Sequence, residues 1–316
     1  MSSKTNQQPL VSVAMNCYNG GAYIAEAIES VLRQQVNFPY ELVIGDDGSS
    51  DNSMEVAEQY AAQYPDIIHI TRTEVNLGIP GNTIRTWAEC RGKYIAICDC
   101  DDVWVEPGKL QLQVDFLEKH PEYGMAYTDA DVISEHGVFL DDPEIEHHRT
   151  RFAEGDIFFQ LLQGNFVVNS TTVFRRSYLD RHVIDPNRNY FIQDYILWLH
   201  IASQDTVHYI PGRMTWYRRH STSITHKAPK IRVQTNRMMY HKYLHQHLAH
   251  FDRSNKRLLS QEERMIMFRK LLSLVFRSPG SVKERLRALA MLPKYMPALG
   301  NMAKLAVSKA RKLLPA

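Results

Sequence analysis

Two hydrophobic rhythms alternate along the first part of the chain. "LVSVAMNCY" (10–18) is a nearly continuous apolar, β-branched run, the pattern of a strand buried on both faces. "GGAYIAEAIESVLRQQ" (20–35) places apolar residues at 24, 27, 28, 31 and 32, the spacing of one helical face. The alternation repeats. "YELVIGDDGSSDNS" (40–53) predicts a second strand ending in a polar turn, where Ser49, Ser50 and Asp51 are natural caps for a helix over "MEVAEQYAAQY" (54–64). "DIIHITRT" (66–73) predicts a third strand, "EVNLGIPGN" a Gly/Pro loop, "TIRTWAECRG" (83–92) a helix and "KYIAICDCDD" (93–102) a fourth strand. After Trp104 and Pro107, "KLQLQVDFLEKH" (109–120) predicts another helix. This alternation implies an α/β fold, a mostly parallel sheet flanked by helices.

Further on, "NYFIQDYILWLHIA" (189–202) aligns Ile192, Tyr195, Ile196 and Leu199, which predicts a buried helix beginning near Asp194. "DDPEIEHHRTR" (141–151), with His147 and His148 in tandem, reads as a mobile solvent loop. Beyond 260, "EERMIMFRKLLSLVF" (262–276), "SVKERLRALAMLPKYM" (281–296) and "NMAKLAVSKARKLLPA" (301–316) read as helices broken by Pro279, Gly280, Pro293, Pro297 and Gly300. No internal repeat or low-complexity segment interrupts the pattern.

The ends of the strands carry the chemistry. Asn16, Tyr18 and Asn19 follow the first, Asp46, Asp47, Gly48 and Ser49 the second, and Asp99, Asp101 and Asp102 the fourth. In open parallel sheets, ligands bind beyond the carboxyl ends of the strands. A single acidic cluster there is more often a helix cap, but three on one edge argue for a site. Neither a GxGxxG nor a GxxxxGK[ST] loop is present, so no glycine-rich loop cradles phosphate. Clustered carboxylates repel anions unless a cation intervenes, and hard oxygen donors favour Mg²⁺ or Mn²⁺ bridging to phosphate oxygens. The arrangement implies a nucleoside diphosphate held through a metal.

Composition changes this picture in two ways. With 44% hydrophobic and 23% charged residues, the chain has globular composition. Its apolar runs, such as "LLSLVF" (271–276), fall short of the ~20 residues of a membrane span. "MSSKTNQQPL" lacks an apolar signal core, so a cytoplasmic protein is expected, with Cys17, Cys90, Cys98 and Cys100 as reduced thiols rather than a zinc site. The net charge of +2 conceals an asymmetry, because residues 253–316 hold 15 Lys and Arg against 3 Glu. Basic amphipathic helices suit an anionic membrane surface, with packing on the acidic body or dimerisation as alternatives. No aromatic–basic interleaving supports nucleic acid as a partner.

Four segments, "VSVAMNCYNGGAYIAEAIESVLRQ", "ELVIGDDGSSDNS", "GKYIAICDCDDVW" and "FIQDYILWL", together resemble family 2 glycosyltransferases of GT-A fold over roughly residues 9–225. The resemblance implies an inverting, metal-dependent, non-processive transfer of one sugar from a nucleotide-diphosphate sugar to a glycan or lipid-linked glycan hydroxyl. Such a step belongs to surface polysaccharide synthesis, in the manner of a capsule or lipopolysaccharide pathway. The implied divisions are a GT-A domain over 1–225 (nucleotide half about 9–105, acceptor half about 106–225) and a helical region over 226–316, peripheral on the inner membrane face. Asn16 and Tyr18 fall in the loop that meets the nucleobase; Asp47 resembles the acceptor for the base, with Asp46 supporting the turn. UDP or dTDP fits Asp47 better than GDP. Asn76 and Asn82 are candidates to reach the nucleotide. For the aspartates, the chain offers both D-x-D (99, 101) and D-D (101, 102); Asp101 and Asp102 are taken as the metal pair and Asp99 as a nucleotide contact. Asp194 holds the catalytic-base position, although relatives usually have Glu-Asp where this chain has Gln193-Asp194. "MTWYRRHSTSIT" (214–225) resembles a motif in which His220 joins the metal or donates to the diphosphate and Arg218 or Arg219 neutralises phosphate. Asp129 and Asp131 are candidates for acceptor binding. Two other readings remain: a non-catalytic scaffold, which Gln193 supports, and a sugar nucleotidyltransferase, against which "NCYNGGAYI" offers no basic residue.

Overall fold

The computed structural model describes residues 8–179, 193–221, 260–277, 286, 289–290 and 292–295. Its nine-stranded sheet is assembled in the order β3-β2-β1-β4-β8-β6-β9-β5, with β7 paired to β6. The strands are β1 Val11–Cys17, β2 Tyr40–Asp46, β3 Ile68–Arg72, β4 Tyr94–Ile97, β5 Val103–Trp104, β6 Tyr123–Ser134, β7 Phe139–Leu140, β8 Thr172–Arg175 and β9 Thr206–Arg219. Helices α1 Ile24–Leu32, α2 Ser53–Gln63, α3 Gly78–Glu89, α4 Lys109–Lys119, α5 Pro143–Arg149, α6 Phe158–Gln163 and α7 Gln193–Gln204 connect them.

β3, β2, β1 and β4 are parallel neighbours. β8 runs antiparallel to both β4 and β6, and β9 returns parallel to β6. The expected α/β architecture is therefore present, with a mixed rather than purely parallel far half. β1 and β2 are buried along almost their whole length because helices cover both faces, which is why their sequences run apolar without alternation. Ile24, Ala27, Ile28 and Val31 of α1 and Leu110, Val114 and Leu117 of α4 pack with Val11, Val13, Met15, Leu42, Ile44, Tyr94 and Ala96 into one core.

The crossovers through α1 and α2 build outward from β1 to β3, and the chain then returns through α3 to place β4 on β1's other side. That reversal leaves a crevice beyond the carboxyl ends of β1 and β4.

Three local expectations are corrected. The loop expected through "EVNLGIPGN" is helical from Gly78, because Pro80 sits in the first turn where no N–H is needed and the Asp47 carboxylate accepts from the Leu77 N–H at 2.8 Å. The helix also packs tightly on the sheet: a Cβ on Gly45 would meet Thr86 Oγ1 at 1.8 Å. The expected solvent loop at 141–151 contains α5, whose N-cap Asp142 accepts from the N–H groups of Glu144 and Ile145, with Pro143 opening the helix. The fourth strand ends at Ile97, and 98–102 is a turn closed by Asp102 N–H donating to Asp99 O at 3.0 Å.

The chain divides into two compact units, Met1–Pro229 and Lys230–Ala316. In the second, α8 Gln261–Arg277 buries Ile266, Met267, Phe268 and Leu271. No described helix is long and apolar enough to cross a membrane. The basic segments beyond 278, on which membrane binding was expected, lie almost wholly outside the described residues.

Candidate active site

The β1–β4 ladder continues past the end of β4, and this explains the alternation in "CDCD". Cys98 N–H donates to Ala14 O at 3.1 Å and Cys100 N–H to Asn16 O at 3.3 Å. Strand-like alternation then sends Cys98 and Cys100 into the core, where both are buried, and turns Asp99 and Asp101 the opposite way, into the crevice. The thiols are packing residues, and burial pushes Cys98 well above its ordinary value.

The three aspartates have different environments. Asp102 is buried (1% exposed), and both its oxygens are occupied: Oδ1 accepts from Arg218 N–H at 2.9 Å, Oδ2 from Ser170 Oγ at 2.5 Å. Burial, then the charges of Asp101 and Asp99, hold its carboxyl well above the carboxylate range. Asp102, expected as a metal ligand, here anchors the turn through both oxygens. Asp99 Oδ2 accepts from Asn169 Nδ2 at 2.8 Å, and the Asn16 carboxamide also donates to it. Burial first, then Asp101 and Asp194, raise Asp99 to about 7. Asp101 faces the crevice, with Oδ2 2.9 Å from His220 Nε2.

β9 delivers the opposite wall. Strand alternation aims Arg218 and His220 at the acidic turn and Arg219 away from it. Arg218 is buried and fully engaged. Its Nε donates to Asp101 O at 2.9 Å, Nη1 to Ser134 O at 3.3 Å and Nη2 to Glu26 at 2.5 Å, and the guanidinium lies 5.0 Å from the Tyr23 ring centroid. Arg218, expected to contact phosphate, here ties together α1, β6, β9 and the turn. Arg219 pairs with Asp142 at 2.7 Å and Glu144 at 3.1 Å, so it holds the start of α5.

Of the remaining expected residues, Asn16 lines the crevice beside Asp99, and Tyr18 stands 53% exposed at its rim. Asp46 is wholly buried, and both its carboxylate oxygens accept from Ser49 N–H at 3.2 Å. Asp47, raised by burial, spends one oxygen on Leu77 N–H. Asn76 Oδ1 accepts from Gly78 N–H in a local turn. Asn82 is buried, donating to Gly45 O at 2.7 Å and accepting from Arg85. Asp194 sits in the first turn of α7, and its charge is felt at Asp99, so the helix opens toward the acidic turn. Asp129 and Asp131 do not offer free carboxylates: Arg149 pairs with both, and Arg213 with Asp131 at 3.0 Å. His148 is partly buried and its pKa lowered by burial, in α5. The residues after Ser221 in the "YRRHSTSIT" motif lie outside the described residues.

Sequence reasoning missed Asn169 and Ser170. Ser170 Oγ accepts from Asp99 N–H and donates to Asp102, while its carbonyl accepts from Trp104 Nε1 at 2.8 Å. Nothing in "NFVVNSTTVF" marks them, because their role exists only once β8 lies beside β4.

Among the described residues, no group of three or more His, Cys, Asp or Glu side chains gathers to hold a metal. Asp101 and His220, one hard oxygen and one imidazole nitrogen side by side, nevertheless fit Mg²⁺ or Mn²⁺, which take one or two protein donors and complete their shells with phosphate oxygens and water.

The model of the family described as "Glycosyl transferase family 2" matches residues 12–183. An uncharacterized protein of Mycobacterium tuberculosis is 32% identical over 219 residues, 69% of this chain and 61% of that protein. A Bacillus subtilis protein that carries the name glycosyltransferase EpsE is 36% identical over 162 residues, 49% of this chain and 58% of it. The matches thus span about 60% of these relatives' own length. Staphylococcus aureus TarS, solved with UDP, superimposes with a TM-score of 0.56 at 16% identity, covering 91% of this chain and 81% of TarS. The mannosyltransferase PcManGT of Pyrobaculum calidifontis, solved with GDP-Man and Mn²⁺, gives 0.54 at 18% identity, covering 98% of this chain and 82% of its own. These likenesses establish a shared fold.

Proposed function

The chain belongs to glycosyl transferase family 2, and from that premise we propose that it transfers one sugar from a nucleotide-diphosphate sugar to a hydroxyl of a glycan or lipid-linked glycan acceptor, in the synthesis of a surface polysaccharide. The observation that carries the proposal is the convergence of Asp99, Asp101, His220 and the helix-opening Asp194 at the switch point between β1 and β4.

The donor occupies the crevice with its base toward Asn16, Tyr18 and Asp47 and its diphosphate toward Asp101 and His220. UDP or dTDP is favoured over GDP, because an acceptor such as Asp47 matches the N3–H of uracil or thymine. Asp101 and His220 hold Mn²⁺ or Mg²⁺, which when bound neutralises the diphosphate as it leaves. Asp194 takes the proton from the acceptor hydroxyl oxygen as that oxygen attacks the anomeric carbon, so the transfer inverts configuration and needs no covalent enzyme intermediate. Arg218, Ser170 and Asn169 contribute by fixing the turn, so that Asp101 meets the ligand without reorganising. The division into a GT-A domain over 1–225 and a basic helical region over 226–316, resting on an anionic membrane surface at the inner face of the plasma membrane, belongs to the same proposal. It is supported by the charge asymmetry of the chain.

The test is a thermal-shift panel of UDP, dTDP, GDP and CMP, each with and without Mn²⁺, on the wild type and Asp101→Asn. Ligand at a hundredfold excess over Kd stabilises the fold by ~2.7 kcal/mol. A shift for one nucleotide that needs the metal and disappears in Asp101→Asn is expected. No shift with any nucleotide overturns the donor-site reading.

A further inference from the structure

Cys17 and Cys100 stand opposite each other in the ladder that joins β1 to the acidic turn. The register pairs Ala14 with Ile97. It continues as Cys98 N–H donates to Ala14 O and Cys100 N–H to Asn16 O, which sets Met15 against Cys98 and Cys17 against Cys100. Both thiols turn to the same apolar core cluster. Their sulfurs meet there: a Cβ on Gly20 would lie 2.7 Å from Cys100 Sγ and 3.3 Å from Cys17 Sγ, and the two side chains share a hydrogen bond. Opposite positions on neighbouring strands are ~4.8 Å apart, inside the roughly 4.4–6.8 Å of Cα separation that a disulfide spans. All four thiols of the chain are free. Cys98 faces Met15 across the ladder and Cys90 lies at the end of α3, so the ladder makes a pair of Cys17 and Cys100 alone.

We propose that Cys17 and Cys100 are an oxidisable pair, closed to a disulfide by a hydroperoxide, and that this bond disables the donor crevice. The disabling effect rests on the donor-site reading above. Cys100 keeps 7% of its surface exposed and Cys98 none, so a molecule as small as hydrogen peroxide has one sulfur of the pair to reach. One sulfur attacks the O–O bond and becomes a sulfenic acid as the first water leaves; the other displaces the sulfenic oxygen as a second water. Two S–H bonds and one O–O bond break, one S–S bond forms, and the two electrons and two protons given up by the thiols end in water. Asn16 precedes Cys17 and Asp101 follows Cys100, so the bond falls between two residues of the crevice. It draws the Cβ atoms to about 3.8 Å, ~1 Å closer than the strand spacing. A displacement of that size at a reacting centre costs on the order of 100-fold. A disulfide held away from its preferred spacing is readily reduced, which makes the closure reversible.

The experiment treats the reduced full chain, and its Cys17→Ala, Cys100→Ala and Cys98→Ala variants, with hydrogen peroxide. Remaining thiols of one portion are blocked with N-ethylmaleimide and its peptides mapped by mass spectrometry. The other portion is desalted and titrated calorimetrically with UDP and GDP in the presence of Mn²⁺, before oxidation, after it, and after reduction with dithiothreitol. In the wild type and Cys98→Ala, the expected result is a peptide joining Cys17 to Cys100, two hydrogens lighter than its separate halves. Nucleotide binding falls ~100-fold with it and returns on reduction. Cys17→Ala and Cys100→Ala should bind equally before and after peroxide. Thiols left unpaired by peroxide, or joined in another pairing, overturn the proposal. So does the expected disulfide with binding unchanged, or a loss of binding in Cys17→Ala that matches the wild type. Should the two Ala variants fail to fold, the wild-type peptide map and the recovery on reduction decide the same question. A reduced wild type that binds neither UDP nor GDP overturns the donor-site reading and the disabling effect with it, while the peptide map still upholds or overturns the oxidisable pair.

Discussion

Lys109 tests how the floor beneath the acidic turn is held. Its side chain is fully buried; Nζ donates to Gln113 Oε1 at 2.9 Å and lies 4.1 Å from the Trp104 ring centroid, with no carboxylate partner among the described residues. Burial pulls its pKa down to about 7. Against an unfolded value of ~10.4, the charged form costs the folded state ~5 kcal/mol, at ~1.4 kcal/mol per unit. The sign follows from linkage: between about pH 7 and 10.4 the unfolded chain binds one more proton than the folded one, so stability rises with pH across that window and is flat below it. Lys109→Met removes the titration but leaves Gln113 Oε1 without its donor, a loss of about 1–3 kcal/mol. The variant should therefore be ~2–4 kcal/mol more stable than the wild type at pH 6 and less stable above roughly pH 9. Urea unfolding of both proteins from pH 6 to 10 measures the difference, in which groups remote from Lys109 cancel. A difference that does not change with pH, or a wild type that is the more stable at pH 6, refutes the reasoning.

Three further outcomes follow from the site. Asp194→Asn should lower kcat by ~10²–10⁴-fold with nucleotide affinity retained, measured as sugar transfer against titrated donor binding; a variant losing both equally removes Asp194 from the base role. Asp101→Asn should keep the wild-type melting temperature while losing Mn²⁺-dependent nucleotide binding, whereas Asp102→Ala should cost about 2–4 kcal/mol of stability, since two buried donors lose their acceptor; the reverse pattern would return the ligand role to Asp102. Arg218→Met should destabilise by ~3–5 kcal/mol in urea, and a cost below ~1 kcal/mol would mean that the tie between α1, β6 and the turn is dispensable.

The periodicity of "VSVAMNC", "ELVIG" and the helices between them carried the parallel half of the sheet, because strands covered on both faces must be apolar throughout. The turn at 98–102 was visible as chemistry, but its division of labour was not. Asp101 and Asp102 look equivalent in sequence, and only the approach of Ser170 and the Arg218 N–H makes one an anchor and leaves the other open. α5 was read as a loop because its helix is set by a cap, a proline and ion pairs with distant residues, its own Arg149 to Asp129 and Asp131 and Arg219 of β9 to Asp142 and Glu144, not by an apolar stripe. Gly78 and Pro80 read as breakers for a related reason: Asp47, from the next strand over, supplies the cap.

The partners of the acidic turn also bear on how separable the proposed nucleotide and acceptor halves are. Asp102 depends on residues 68 and 116 positions downstream, and β4 lies between β1 of its own half and β8, which arrives from the other. A nucleotide half ending near residue 105 would retain every aspartate of the turn and still leave Asp102 buried without donors and Asp101 without the Arg218 tie at its carbonyl. The motif is local in sequence and the site is not: the geometry that separates an anchoring carboxylate from a ligand-facing one is supplied by the arrival of β8 and β9.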